Sequence, residues 1–290
     1  MIHGAPIIFI FGLGYVGRRF GHMMAASGWS VRGTTRQPDN FAAERAAGWN
    51  IIPFSDQQKM PDPARSLDGV SAILSTIAPI SGQDPVLRLH ADDLAGFAGW
   101  AGYLSATSVY PDNPGGICYE DTKPVPATKR GKARLAAEAG WQQLCNAELF
   151  RAAGIYGPGR SPFDALRDGT ARIIEHAGHL FNRIHRDDIC RIIIAAQAQP
   201  RAGRVINLAD QKPASQGDVV RHAAALLGVD PPVAQRLDEA ELSPLARSFY
   251  SARRHIGSRV IKPELGVDLL YPDYQSGLAA ILQSDKQTVN

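Results

Sequence analysis

The stretch Phe11–Gly17 reads FGLGYVG, with glycines at 12, 14 and 17. It closes the continuous apolar run Ile7–Phe11 (IIFIF), and after it Val16, Phe20, Met23 and Met24 recur at helical spacing up to Gly28. A buried strand feeding a helix through a GxGxxG turn suits a dinucleotide. The first glycine allows the tight turn, the second lets the backbone approach a pyrophosphate, and the third lets helix and strand pack closely. The helix N–H groups then face the phosphates. A glycine turn in another kind of α/β protein is the alternative, but strand, helix and N-terminal position all agree with the dinucleotide. Gly12, Gly14, Tyr15, Val16 and Gly17 are accordingly the first expected cofactor contacts.

Working outward, extended runs follow at Trp29–Thr35, Ile51–Phe54, Val70–Thr76, Ala101–Ser105 and Glu148–Ala152, separated by enough chain for helices or long crossovers. This alternation predicts an α/β fold, a Rossmann-type doubly wound parallel sheet. Beyond Arg151 the texture changes to loops, a short helix at Phe163–Arg167, helices at Asp187–Ala198 and Val219–Leu227, a strand at Val205–Leu208, and short helices mixed with prolines towards the end. The expected division is a nucleotide-binding core over residues 1–152 and a smaller mixed α/β substrate subdomain over 153–290, with segments near 180–210 returning to complete the core.

Composition narrows the function classes. With 31 basic against 28 acidic residues, a net charge of +3 and no basic block, nucleic acid is not an expected partner. Three cysteines, Cys118, Cys145 and Cys190, lie far apart and form no CxxC pair, which suits a reducing compartment. The apolar run Ile7–Phe11 is far too short to span a bilayer, and no leader accompanies it, so a cytoplasmic protein without membrane attachment is expected. No metal is expected either: His185, Asp187 and Asp188 are too few converging ligands, a helix N-cap explains the aspartates, and EHAGH (175–179) lacks HExxH spacing.

The end of the second strand bears on the choice of cofactor. NAD-binding versions place Asp or Glu there to hold the ribose hydroxyls. Here the stretch is VRGTTR (31–36), and Thr34, Thr35 and Arg36 offer two hydroxyls and a guanidinium, a set suited to a 2′-phosphate. NADP is therefore expected ahead of NAD. Topology alone adds Asp56 near the adenine, and Ser75, Thr76 and Ala78 near the cofactor's middle.

Taken in order, FGLGYVG, LSATSVY (104–110), KRGKARLAAE (129–138), LFRAAGIYGPGR (149–160), IHRDDIC (184–190), VINLAD (205–210) and YPDYQSGL (271–278) resemble the NAD(P)-dependent epimerase/dehydratase group of the extended and atypical short-chain dehydrogenase/reductase superfamily. The resemblance spans nearly the whole chain. It implies a Rossmann fold with a C-terminal substrate domain, a Ser/Thr, Tyr and Lys performing the chemistry, and a small-molecule substrate, anionic or a nucleotide sugar, handled by a monomer or homodimer. Laid on this chain, the hydroxyl position falls on Ala106, with Thr107 adjacent; the tyrosine position is Arg130 and the lysine position Arg134. Arg134 can supply the charge and ribose hydrogen bonds of the missing lysine, but arginine stays protonated and cannot move a proton as tyrosine does. Tyr110 and Tyr156 are candidate replacement acids. Asp93 falls near the position of an asparagine in active members, and Glu120 and Asp121 are expected to pair with the arginine-rich helix start. Two readings stay open: an NADP-dependent oxidoreductase or epimerase/dehydratase-like enzyme of unusual chemistry, or a catalytically inactive NADP(H)-binding sensor or regulatory protein.

Overall fold

The computed structural model describes residues 4–243, 246, 247, 250 and 252–289. The chain divides into two compact units. The first comprises residues up to Val109, Pro126–Arg151 and Ile189–Ile206; the second comprises Tyr110–Val125, Ala152–Asp188 and the chain from Asn207 onward. The Pro- and Gly-rich loop at Tyr110–Val125 thus groups with the second unit, although it precedes residue 152.

The first unit alternates strand and helix: β1 (Ile7–Phe11), α1 (Tyr15–Ala26), β2 (Ser30–Thr35), α2 (Ala42–Ala46), β3 (Asn50–Pro53), α3 (Pro63–Leu67), β4 (Val70–Ser75), α4 (Pro85–Leu94) and β5 (Trp100–Ala106). The chain continues through β6 (Ile117–Cys118), α5 (Lys129–Cys145) and β7 (Glu148–Ala152), and later through α7 (Arg186–Ala198) and β11 (Val205–Leu208). Seven strands form a Rossmann-type sheet in the order β11-β7-β5-β4-β1-β2-β3, with β1–β2, β1–β4, β2–β3 and β4–β5 parallel. From Ile8 onward β1 is wholly buried, as a parallel strand covered on both faces must be, which is why it reads as an unbroken apolar run. Registers set Phe11 against Ser75 and Ile10 against Gly33, so β1, β2 and β4 end together and their loops leave side by side. On one face Phe9, Phe11, Ile73, Tyr103 and Trp141 form a continuous core.

Helix α5 starts where Thr128 accepts a hydrogen bond at Oγ1 from the Gly131 N–H at 3.0 Å, and it ends at Asn146 in the left-handed conformation (φ 49°). The threonine cap satisfies one orphan donor that the four nearby cations cannot.

The second unit holds β8 (Gly154–Tyr156), α6 (Pro162–Arg167), β9 (Ile173–Glu175), β10 (Arg183–His185), α8 (Gln216–Leu227), β12 (Ala234–Arg236), β13 (His255–Ile256) and a C-terminal helix, α9 (Tyr274–Val289). Its strands pair in parallel twos: β8 with β10, β9 with β12, β6 with β13. Tyr156, Phe163, Val219, Leu278 and Ile281 are among its buried core. The 16-residue α9 corrects the expectation of short helices only: Pro272 precedes its first turn and interrupts nothing within it. Among the described residues no helix is long and apolar enough to cross a membrane.

Candidate functional site

The turn after β1 is braced from both neighbouring strands. The Gly12 N–H donates to Thr34 Oγ1 at 3.0 Å, the Leu13 N–H to the Thr34 carbonyl at 2.7 Å, and Thr76 Oγ1 donates to the Gly12 carbonyl at 2.7 Å. Gly12 sits at φ +92°, where other residues are strained, and a Cβ on Gly17 would lie 2.1 Å from the Gly12 carbonyl oxygen. Both glycines are therefore consumed by packing within the protein. Gly14, the exposed N-cap of α1, is different: a Cβ there would meet nothing within 4 Å. The first-turn N–H groups of a helix lack intrahelical acceptors, and a turn that presents an exposed glycine beside them fits a dinucleotide's pyrophosphate. Val16 is buried and Tyr15 half-buried beside that opening.

This bracing revises the expected roles of two hydroxyls. Thr34 is fully buried with its Oγ1 occupied by Gly12, and Thr76 is turned onto the same loop, so both shape the cradle instead of reaching outward. Thr35 is half-buried, its Oγ1 accepting from the Gln37 N–H at 3.2 Å, and Arg36 is exposed at the strand end. Asp56 is half-buried; its carboxylate accepts from Gln57 and its carbonyl from Arg88. Ser75 is fully buried, its hydroxyl without a hydrogen-bond partner, and Ala78 is exposed on the loop beyond.

At the start of α5, Gly131 is pressed against the loop after β5: a Cβ there would come 2.5 Å from the Ser108 carbonyl oxygen and 2.8 Å from Pro126 Cβ. That contact sets the helix start against the strand end, where Ala106 is the last residue of β5 and Thr107 opens a 3-10 turn, ending the strand's strict alternation. Lys129, Arg130 and Lys132 are exposed. Arg134 turns inward, its Nη1 donating to Tyr103 Oη at 3.0 Å and to the Leu104 carbonyl at 2.8 Å. Tyr103 stacks on Trp141 (6.0 Å between centroids, 16° between planes), and Trp141 Nε1 donates to Asp84 Oδ2 at 3.1 Å. Burial pushes the Tyr103 phenol well above its ordinary pKa, against the opposing pull of Arg134, and burial likewise raises the Asp84 carboxyl. The Asp84–Trp141–Tyr103–Arg134 chain was not foreseen: its members are scattered over 50 residues, and only the oddity of a cation facing a helix start hinted at it.

One turn further on, Glu138 joins three elements. It accepts from Ser105 Oγ at 2.6 Å and forms a buried pair with Arg151 (Nη2 to Oε2, 2.7 Å). Asp93 is engaged locally, with His90 Nδ1 at 2.7 Å.

In the second unit, Tyr110 is fully buried and its hydroxyl donates to Asn207 Oδ1 at 2.7 Å. Tyr156 donates to the Asp273 carbonyl at 3.3 Å, stands edge-on to His185, and fills the space a side chain at Gly277 would need; burial, followed by the charges of Asp210, Asp188 and Asp273, pushes its phenol far above the usual value. His185 Nδ1 accepts from the Asp187 N–H, and Asp188 accepts from the N–H groups of Leu270 and Tyr271 (2.8 and 3.0 Å), so the IHRDD segment is a splice between elements. Glu120 accepts from Asn207, Ser258 and Arg259, and Asp121 pairs with Arg259 at 3.3 Å, because that loop packs within the second unit. Burial raises Asp210 to about 7, and its Oδ2 has no hydrogen-bond partner. A cavity of about 820 Å³ also opens in this unit, lined by His176, His179, Phe181, Arg221, Arg247 and Tyr250 among others. Among the described residues no cluster could hold a metal ion.

The chain shares its Rossmann-type fold with NAD-bound UDP-glucuronic acid 4-epimerase from Bacillus cereus (TM-score 0.76, 17% identity, 98% of this chain and 100% of that one). Within that fold the chain belongs to one family with a conserved protein of unknown function from Silicibacter pomeroyi, 42% identical over 97% of this chain and 99% of that one, TM-score 0.89. It is also similar to Protein YeeZ of Escherichia coli K12, 27% identical over 278 residues, which are 91% of this chain and 96% of that protein. No protein-family model matches the chain.

Proposed function

We propose that the chain is an NADP-binding oxidoreductase or epimerase/dehydratase-like protein whose Ser-Tyr-Lys positions are replaced by Ala106, Arg130 and Arg134. The observation that carries the reading is the contrast at the turn, where Gly12 and Gly17 are filled by protein while Gly14 faces open space. NADP is favoured over NAD by Arg36, exposed at the end of β2 where no acid stands. The solved relative from Bacillus cereus holds NAD, which supports the nicotinamide dinucleotide class.

Bound, the cofactor would supply or accept hydride at its nicotinamide ring. The chain's own residues would position and polarise. Arg134, anchored to Tyr103 and Leu104, holds a permanent positive charge at the lysine position, while exposed Arg130 offers a guanidinium to an anionic substrate such as a carboxylate or phosphate. Neither moves a proton. Buried cysteines at 118, 145 and 190, none of them in a disulfide among the described residues, support the expectation of a reducing, cytoplasmic setting.

A second reading, a catalytically inactive NADP(H)-binding sensor or regulator, is favoured by the engagement of both candidate acids, Tyr110 with Asn207 and Tyr156 with Asp273. A panel of small anionic substrates and nucleotide sugars, followed at the nicotinamide absorbance band, separates the two. Turnover abolished by Arg130→Ala or Arg134→Ala supports the enzyme. Silence across the panel with NADPH still bound supports the sensor, and loss of NADPH binding altogether removes both.

A further inference from the structure

Arg18 lies one turn into α1, its N–H bonded to the Gly14 carbonyl at 2.9 Å, directly behind the open cradle. Its side chain is directed towards the segment that follows Arg36, where the guanidinium lies 4.8 Å from the ring centroid of Phe41. Phe41 closes the 3-10 turn Pro38–Phe41, so this contact ties the first turn of α1 to the chain leaving β2. Nε donates to Glu44 Oε1 at 2.6 Å, and it is the only guanidinium nitrogen of Arg18 with a polar partner among the described residues. The side chain stays 45% exposed while Glu44 is 1% exposed.

A buried carboxylate thus grips one edge of the guanidinium and an aromatic ring supports it, leaving the Nη edge for another ligand. His22 also meets Glu44 Oε1 at 3.0 Å, so the carboxylate has a second partner beside Arg18, and its Oε2 has no hydrogen-bond partner among the described residues. Burial pushes the Glu44 pKa up, but the hydrogen bonds from Arg18 and His22 hold it below the ordinary value, so the anchor stays charged.

We propose that Arg18 is a cofactor-specificity residue, which together with Arg36 brackets the 2′-phosphate of NADP. This rests on the NADP reading above. A pyrophosphate at the N-terminus of α1 directs the adenosine towards the end of β2, between the element that carries Arg18 and the one that carries Arg36. Arg18 takes up the second-jaw role that the inward-turned hydroxyl of Thr34 cannot fill.

The test is fluorescence titration of the full chain with NADPH and with NADH, in the wild type, in Arg18→Lys, and in the double variant Arg18→Met with Glu44→Gln. The double variant keeps apolar cover on Phe41 and removes the buried carboxylate charge that a single change would leave with His22 alone; thermal melting confirms its fold. The expected result is a wild type that favours NADPH, with the double variant losing at least about tenfold in NADPH affinity, the scale of one charge-assisted contact, while NADH affinity moves less than about twofold. Arg18→Lys should fall between them. Equal losses for both cofactors, or an NADPH preference untouched in the double variant, would overturn the role of Arg18 and leave the NADP reading standing. A wild type with no NADPH preference would overturn both.

Discussion

Gly17 and Gly131 do the same job in two places. Each lets a helix start press against backbone, the first 2.1 Å from the Gly12 carbonyl oxygen and the second 2.5 Å from that of Ser108, measured from the Cβ each lacks. Around Gly17 the neighbouring residues still form a cradle with space for a ligand. Around Gly131 the packing is as close, and on the proposed reading Arg130 and Arg134 stand at the reactive positions. On that reading the difference teaches that close packing and proton chemistry are separate demands on one scaffold, met by different residues.

Breaking the packing itself should give large effects. Gly17→Ala sets a methyl against backbone that cannot move cheaply, and should destabilise the fold by about 3 kcal/mol or unfold it, by circular dichroism; because the backbone displaced is that of the Gly12 turn, a folded variant should also bind NADPH more than about tenfold more weakly by titration. Gly131→Ala should destabilise by a similar amount in urea melts while leaving NADPH affinity within about threefold once folded. Should Gly131→Ala abolish cofactor binding in a folded protein, the two regions would not be separable.

Glu138 tests the scaffold beneath Gly131. Glu138→Ala strands Arg151 in the interior and should cost about 3–5 kcal/mol, read as a fall in the urea midpoint; a change under about 1 kcal/mol would show the pair carries no structural load.

Asp210 extends the question to the second unit, which contains neither glycine contact. Between roughly pH 4 and 7 the folded chain holds a proton there that the unfolded chain has released, so this group's contribution to stability falls as pH rises through that window. Asp210→Asn should flatten that decline, raising the melting temperature relative to wild type at pH 8 and matching it near pH 4. A parallel offset at both pH values would count against a buried, protonating carboxyl.

Much of this was legible in the sequence because it is local. Ile7–Phe11, Glu148–Ala152 and Val205–Leu208 were found as strands to the residue, since each is a compact apolar run bounded by a turn. The cradle was legible for the same reason. What stayed hidden depends on partners far along the chain: the inward turn of Thr34 onto Gly12, the hold of Arg134 on Tyr103, and the Tyr110 hydroxyl on Asn207, 97 residues away. The ladders β6–β13 and β9–β12, two and three residue pairs long, carry no periodicity to read.

A smaller effect probes the helix start directly. Arg134→Lys keeps the charge but loses the planar donor set on Tyr103 and Leu104, and should cost about 1 kcal/mol; adding Ala106→Ser and Arg130→Tyr rebuilds the Ser-Tyr-Lys pattern on intact packing. Any gain of nicotinamide turnover in that triple variant would support the proposed assignment of Ala106, Arg130 and Arg134 to the Ser-Tyr-Lys positions.

The smallest change in stability and the most direct test coincide at Gly14. Calorimetric titration of NADP⁺ into wild type and Gly14→Ala should show saturable binding in the first and at least a tenfold weaker interaction in the second, with melting temperatures within a few degrees, because the new methyl meets only open space and the loss of an N-cap glycine costs about 1 kcal/mol or less. Equal binding by both proteins, or none by the wild type, would contradict the claim that this turn holds a dinucleotide.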